Sequence, residues 1–146
     1  MFDRSGVIRC AIVSALMCAM SGLAISVAWA GEIPKKVKYD EARALAYLAD
    51  RALHRDSELE DFAPGAFPPF IAFDGHVESP RGDTYPTSGA YAVNPWTGEV
   101  WDMWACKKVH TAALTKAQMD IRSRFSPTEL RDYKKLSHLR AFCMVG

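Results

Sequence analysis

The sequence predicts an α+β domain: an N-terminal helix packed on a small antiparallel sheet of three or four strands, followed by C-terminal helices joined to it by a disulfide. Three observations point there. Apolar residues recur at helical spacing from Leu45 to Leu53, and Asn94-Pro95-Trp96-Thr97-Gly98 is a turn sequence between two runs rich in aromatic and β-branched residues. Further on, Ser126-Pro127-Thr128-Glu129 opens a helix that runs toward a cysteine.

The first segment, Met1 to Ala30, reads as a cleavable signal peptide. Arg4 and Arg9 precede a stretch from Cys10 to Ala30 with no charged residue, and Ala28-Trp29-Ala30 offers the small residues that a signal peptidase accommodates. An uncharged run of about 20 residues is also long enough to cross a bilayer. Against an anchor stand Ser14, Ser21, Gly22 and Ser26, which interrupt the apolar run. Cleavage after Ala30 leaves residues 31–146 as a single domain, periplasmic or secreted, with no stable membrane span.

Removal of the signal takes away two basic residues and one acidic residue, which leaves 16 of each sign. A nucleic-acid-binding protein is normally strongly basic, so that class recedes. The balance hides a segregation. From Gly31 to Asp102 acids outnumber bases 13 to 7, and from Met103 to Gly146 bases lead 9 to 3. Either the fold keeps the two halves apart and an acidic face meets a cationic partner, or the halves neutralise each other within the fold.

Cys10 and Cys18 leave with the signal, so Cys106 and Cys143 remain and permit one intramolecular pairing. In an oxidising compartment that pair is a structural disulfide. The cysteines form no Cys-x-x-Cys, and His54, His76, His110 and His138 show no ligand spacing, so neither metal nor cofactor is expected.

Asp40 is placed to cap a first helix over about Glu41 to Arg55, with Leu45, Leu48, Ala49, Ala52 and Leu53 on its apolar stripe and Arg43, Asp50 and Arg51 away from it. Asp56 to Pro69, acidic and then proline-rich, reads as a connection. Phe70 to Phe73 is a short strand, and Asp74-Gly75 a turn into His76-Val77. The loop from Ser79 to Gly89 contains Arg81-Gly82-Asp83, a tripeptide too short to carry an argument.

The hairpin follows. Tyr91 and Val93 share one face of its first strand, while Trp101 and Met103 lie opposite to Val100 and Trp104 on the second, so one tryptophan-bearing face should meet the helix. Leu114 to Arg124 has helical character, and a last helix runs from the Ser126 cap to about Phe142. No phosphate-cradling loop, zinc-protease helix or nucleophile elbow is present. Asp56, Glu58 and Glu60 lie on the connection, where a fixed acid-base geometry is hard to hold, and no catalytic residue is assigned.

Two resemblances bear on the hairpin. Tyr91-Ala92-Val93-Asn94 with Thr97-Gly98-Glu99-Val100 resembles the strand, turn and strand of PepSY-type domains. That resemblance implies a small exported helix-plus-sheet module, linked to inhibition of secreted peptidases or to binding at the envelope. Ser88-Gly89-Ala90-Tyr91 is similar to the shorter form of the Ser-Gly-x-Tyr loop of bacterial lysozyme inhibitors, whose serine and tyrosine are linked to occupying the enzyme cleft. The chain departs from their all-β layout because it begins and ends with helices.

The function expected is that of an exported non-enzymatic binding or inhibitory protein, an immunity protein or an inhibitor of an envelope-targeted hydrolase. Its partner would be another protein of the envelope, a wall hydrolase or toxin. Trp96, at the turn tip, is the leading contact, with Tyr91, Ser88 and Trp101 beside it. A small exported hydrolase and an envelope structural factor are the alternatives.

Overall fold

Helix α1 (Tyr39–Ala52) lies on one face of an antiparallel meander whose strands β1 (Glu58–Asp61), β2 (Ile71–His76), β3 (Gly89–Val93), β4 (Val100–Asp102) and β5 (Lys107–Lys108) are neighbours in chain order. Helices α2 (Ala112–Arg122) and α3 (Leu130–Ser137) follow. The computed structural model describes residues 33–77 and 88–144. Met1 to Ala30, expected to be a signal peptide, and Arg81-Gly82-Asp83 lie outside the described residues. The chain divides into units Met1–Glu32 and Ile33–Gly146, and every element named here belongs to the second. The architecture is the expected α+β, with five strands rather than three or four.

The stripe of α1 is rotated from its expected position. Ala42, Leu45, Ala46, Ala49 and Asp50 are buried, whereas Leu48 and Leu53 are exposed. Alanines let the helix axis approach the sheet closely, so the residue one turn beyond Ala46 also lies beneath the helix. The cap differs too. Lys38 is the N-cap, its backbone N–H donates to Glu41 Oε2 at 2.9 Å, and Asp40 stands inside the first turn.

Two strands, β1 and β5, come from segments that looked unsuited to a sheet. β1 forms within the expected connection because a four-residue edge strand needs only one buried side chain, here Leu59. β5 is a two-residue basic strand paired with Trp101 and Asp102. The expected turn at Asp74-Gly75 is absent, for both residues continue β2. Gly75 is needed there because a Cβ would sit 3.1 Å from the Ser57 Cβ and 3.3 Å from the Gly89 carbonyl oxygen.

The hairpin between β3 and β4 is as expected, closed by Asn94 N–H to Glu99 O and Gly98 N–H to Asn94 O, each 2.9 Å. Asn94 Oδ1 accepts from the amides of Trp96 and Thr97, and Gly98 takes φ +71°, a conformation that glycine adopts without strain. The α1 side of the sheet meets Leu59, Phe73, Tyr91, Val93, Val100 and Trp96. Trp101 faces the other way, with Ala90, Ala92, Met103 and Ala141, and Trp104 lies beyond the end of β4. The expected packing of Trp101 on the helix is therefore not found.

α2 starts at a Thr111 cap whose hydroxyl accepts from Leu114 N–H at 3.1 Å. α3 starts at Leu130 with Glu129 as its N-cap, later than the expected Ser126 cap, and the Ser126–Glu129 box closes the turn that leads into it: Glu129 Oε2 accepts from Ser126 N–H at 2.7 Å and Ser126 Oγ from Glu129 N–H at 3.3 Å. α3 ends at Ser137, not Phe142. The Leu136 and Ser137 carbonyls accept from Asn94 Nδ2 and Lys108 Nζ, which satisfies the helix end from outside it. The chain then reaches the sheet, where Met144 N–H donates to Met103 O at 2.8 Å and Cys143 is bonded to Cys106 with Cα atoms 5.2 Å apart.

Ion pairs join the acidic and basic halves: Lys36 to Glu129 at 2.7 Å, Lys108 to Glu99 at 2.9 Å and Arg124 to Glu41 at 2.7 Å. Hydrogen bonds from Arg124, and then from the Lys38 backbone, hold the Glu41 carboxyl at about 2, below its ordinary 4.5. The folded chain thus favours ionised Glu41. This stabilisation is complete above pH 4.5 and is lost as the pH falls toward 2. The pair is more than a third exposed, so solvent limits its contribution to under about 1 kcal/mol. Glu41→Gln is expected to lower neutral stability by less than that amount and to make the decline between pH 4.5 and 2 shallower, as read by urea unfolding at stepped pH.

Candidate binding surface

Of the residues singled out from the sequence, Ser88 and Tyr91 come together around a buried carboxylate. Asp50, fully buried under α1, accepts from Ser57 N–H, Ser57 Oγ and Tyr91 Oη, each at 2.7 Å. Ser88 Oγ is 2.6 Å from Ser57 Oγ and 2.9 Å from the Gly75 carbonyl oxygen. Arg55 continues the chain of contacts, donating to Tyr91 Oη at 3.3 Å and to Asp102 Oδ2 at 2.8 Å. Burial, and then the Asp50 hydrogen bond, push the Tyr91 hydroxyl upward, so it remains a protonated donor.

This network ends at a turn. Asp102 Oδ1 accepts from the amides of Trp104 and Ala105 at 2.9 and 3.0 Å, an Asx turn that stops β4. Cys106 then takes φ +53° and carries the bridge to Cys143. The segment Trp104-Ala105-Cys106 is thus held by side-chain acceptors at its start and a covalent bond at its end. On it Trp104 is 42% exposed. A pocket of about 250 Å³ lies alongside, lined by Ala52, Leu53, Ala105, Lys107 and His110 among others.

Trp96 is not an exposed tip residue. It is 3% exposed, packed in the α1 core, and its Nε1 donates to Ile33 O at 2.9 Å. The Asn94-centred turn curls the tip back over the sheet, and the entry segment holds it there: the amides of Lys36 and Val37 both donate to Pro95 O at 3.0 Å. Trp101 is buried on the opposite face, with Lys108 Nζ 5.5 Å from its ring centroid. Sequence reasoning missed Trp104 by assigning it to a strand face. The signal was Asp102, a strand residue placed two positions before it with an acceptor for the following amides.

Along the sheet edge, Asp56, Glu58, Glu60 and Asp61 are exposed. Where β1 ends, a groove of about 440 Å³ is lined by Tyr39, Asp61, Phe62, Phe67, Phe70 and Ile71 among others. Among the described residues no group of three or more His, Cys, Asp or Glu side chains is arranged to hold a metal, and no helix is long and apolar enough to cross a membrane.

No family model matches the chain, and no curated protein matches it. Among solved structures, a chain in a type VI secretion system effector–immunity complex from Pseudomonas protegens is similar with a TM-score of 0.53 and 18% identity. The similarity covers 70% of this chain and 91% of that one. It is a likeness of fold.

Proposed function

We propose that this chain is an exported, non-enzymatic binding protein of the immunity kind, which captures a protein partner in the cell envelope. The observation that carries this reading is the exposed Trp104 on a cross-linked turn whose backbone is held by Asp102, since an aromatic contact presented on a fixed backbone loses less freedom on binding. The buried polar groups support it as well: Asp50, Ser57, Ser88 and Tyr91 are engaged with one another and with backbone. Export is supported by the signal-like N-terminus and by the disulfide. The similar chain from an effector–immunity complex supports the choice of a protein partner such as a toxin.

A photoreactive amino acid placed at position 104, with the chain exported in its own cells, tests the reading. The expected result is a cross-link to one envelope protein, with none when the probe replaces exposed Lys116 on α2. Equal labelling from both positions would count against a binding surface at Trp104. Turnover of peptidoglycan by the purified chain would favour the hydrolase instead.

A further inference from the structure

We propose that the groove at the end of β1 receives a cationic side chain, arginine or lysine, presented by the protein partner. This rests on the reading of the chain as a binding protein and names the chemistry that a second part of its surface recognises. Three aromatic rings, Phe62, Phe67 and Phe70, line the groove together with Tyr39 and the carboxylate of Asp61. The wall is braced from behind. Phe62 and Phe67 meet edge to face with centroids 4.9 Å apart, and Phe67 is 5.7 Å from Phe142, next to the disulfide.

Asp61 Oδ1 accepts the hydroxyl of Tyr39, which fixes the carboxylate at the mouth of the groove, while Oδ2 accepts from no described residue. The Asp61 hydrogen bond pushes the Tyr39 hydroxyl upward, so Tyr39 stays a donor. Among the described residues no cationic side chain lines the groove. Arg43, one turn along α1 from Tyr39, donates to the Leu59 carbonyl instead, and His76 stands 3.7 Å from Glu60. Asp56, Glu58 and Glu60 extend the negative surface along the same edge.

Aromatic faces beside a carboxylate attract a cation from two sides: the ring quadrupole and the formal charge act together. An anion would be repelled by Asp61, and a purely apolar occupant would strip water from that carboxylate with nothing in return. Strand addition along β1 is also disfavoured. The Leu59 N–H and C=O, which face outward at mid-strand, are already engaged by Tyr47 Oη and by Arg43. Insertion of a side chain at the strand end therefore suits the edge better than extension of the sheet.

The test is an NMR titration of the purified secreted chain with four blocked tripeptides: acetyl-Gly-Arg-Gly-amide and its lysine, leucine and glutamate counterparts. The arginine and lysine peptides are expected to give saturable shifts at Phe62, Phe67, Phe70 and Asp61. Asp61→Asn, an exposed change that leaves the melting temperature in place, is expected to weaken them about fivefold. Equal shifts from the leucine or glutamate peptide, no saturable shift from the cationic pair, or unchanged binding by Asp61→Asn would each overturn the proposal. Trp104→Ala is expected to leave the peptide titration unchanged. If the peptides bind while no envelope partner is captured, the functional reading fails and the groove chemistry stands; the reverse outcome removes only the groove.

Discussion

Asp50→Ala is expected to lower the unfolding free energy by about 3–5 kcal/mol, because it leaves buried donors without an acceptor, each costing about 1–3 kcal/mol. The donors are the Ser57 N–H, the Ser57 hydroxyl and the Tyr91 hydroxyl, all 2.7 Å from the carboxylate. Tyr91 keeps Arg55 at 3.3 Å, but Arg55 is itself a donor and cannot accept the phenolic proton. Asp50→Asn keeps the shape and one acceptor oxygen, so it should fall between the wild type and alanine. Urea unfolding followed by tryptophan fluorescence reads both. A loss below about 1 kcal/mol for alanine would show that the network does not hold the fold, and would return these side chains to consideration as chemical groups.

Trp96→Ala is expected to be comparably damaging, about 3–5 kcal/mol, with a fall in melting temperature on the order of 10–20 °C. The indole is almost wholly buried among α1 and sheet residues, and its Nε1 bond to Ile33 O ties the entry segment to the hairpin. Truncation would leave a cavity at the junction of the turn, the entry segment and α1. Trp104→Ala, at an exposed position, should change stability by no more than about 0.5 kcal/mol. The contrast matters because the two tryptophans exchange the roles that residue order alone suggests. If Trp96→Ala melts like the wild type, the turn does not fold back and Trp96 regains its place as a surface contact.

What was legible in the sequence is local. The Asn94 to Gly98 turn, the Ser126 capping box and the Cys106–Cys143 pair depend on residues a few positions apart or on counting thiols, and each is present. What failed depends on distant partners. α3 stops early because Asn94 and Lys108 satisfy its last carbonyls. β1 was hidden by its four consecutive polar or singly buried positions, which make sense only beside β2.

The site divides in the same way. Ser88 and Tyr91 were picked for a short pattern, and the structure brings them together, but around Asp50, which helical periodicity had placed on the outer face. An aspartate four residues after Ala46 on an alanine-rich stripe was the available clue. Trp104 escaped because alternation along β4 was carried two residues past Asp102, where the Asx turn ends the strand. Of the segregated charge, Glu41 and Glu99 in the acidic half pair with Arg124 and Lys108 in the basic half, while the β1 edge keeps exposed carboxylates.

The claim that Trp104 faces the partner is tested most directly by the affinity of the protein cross-linked at position 104, measured by calorimetry against the wild type and Trp104→Ala. The account predicts a loss of at least about tenfold with an unchanged melting temperature, as for an exposed aromatic contact that the fold does not need. Wild-type affinity in the variant would contradict it.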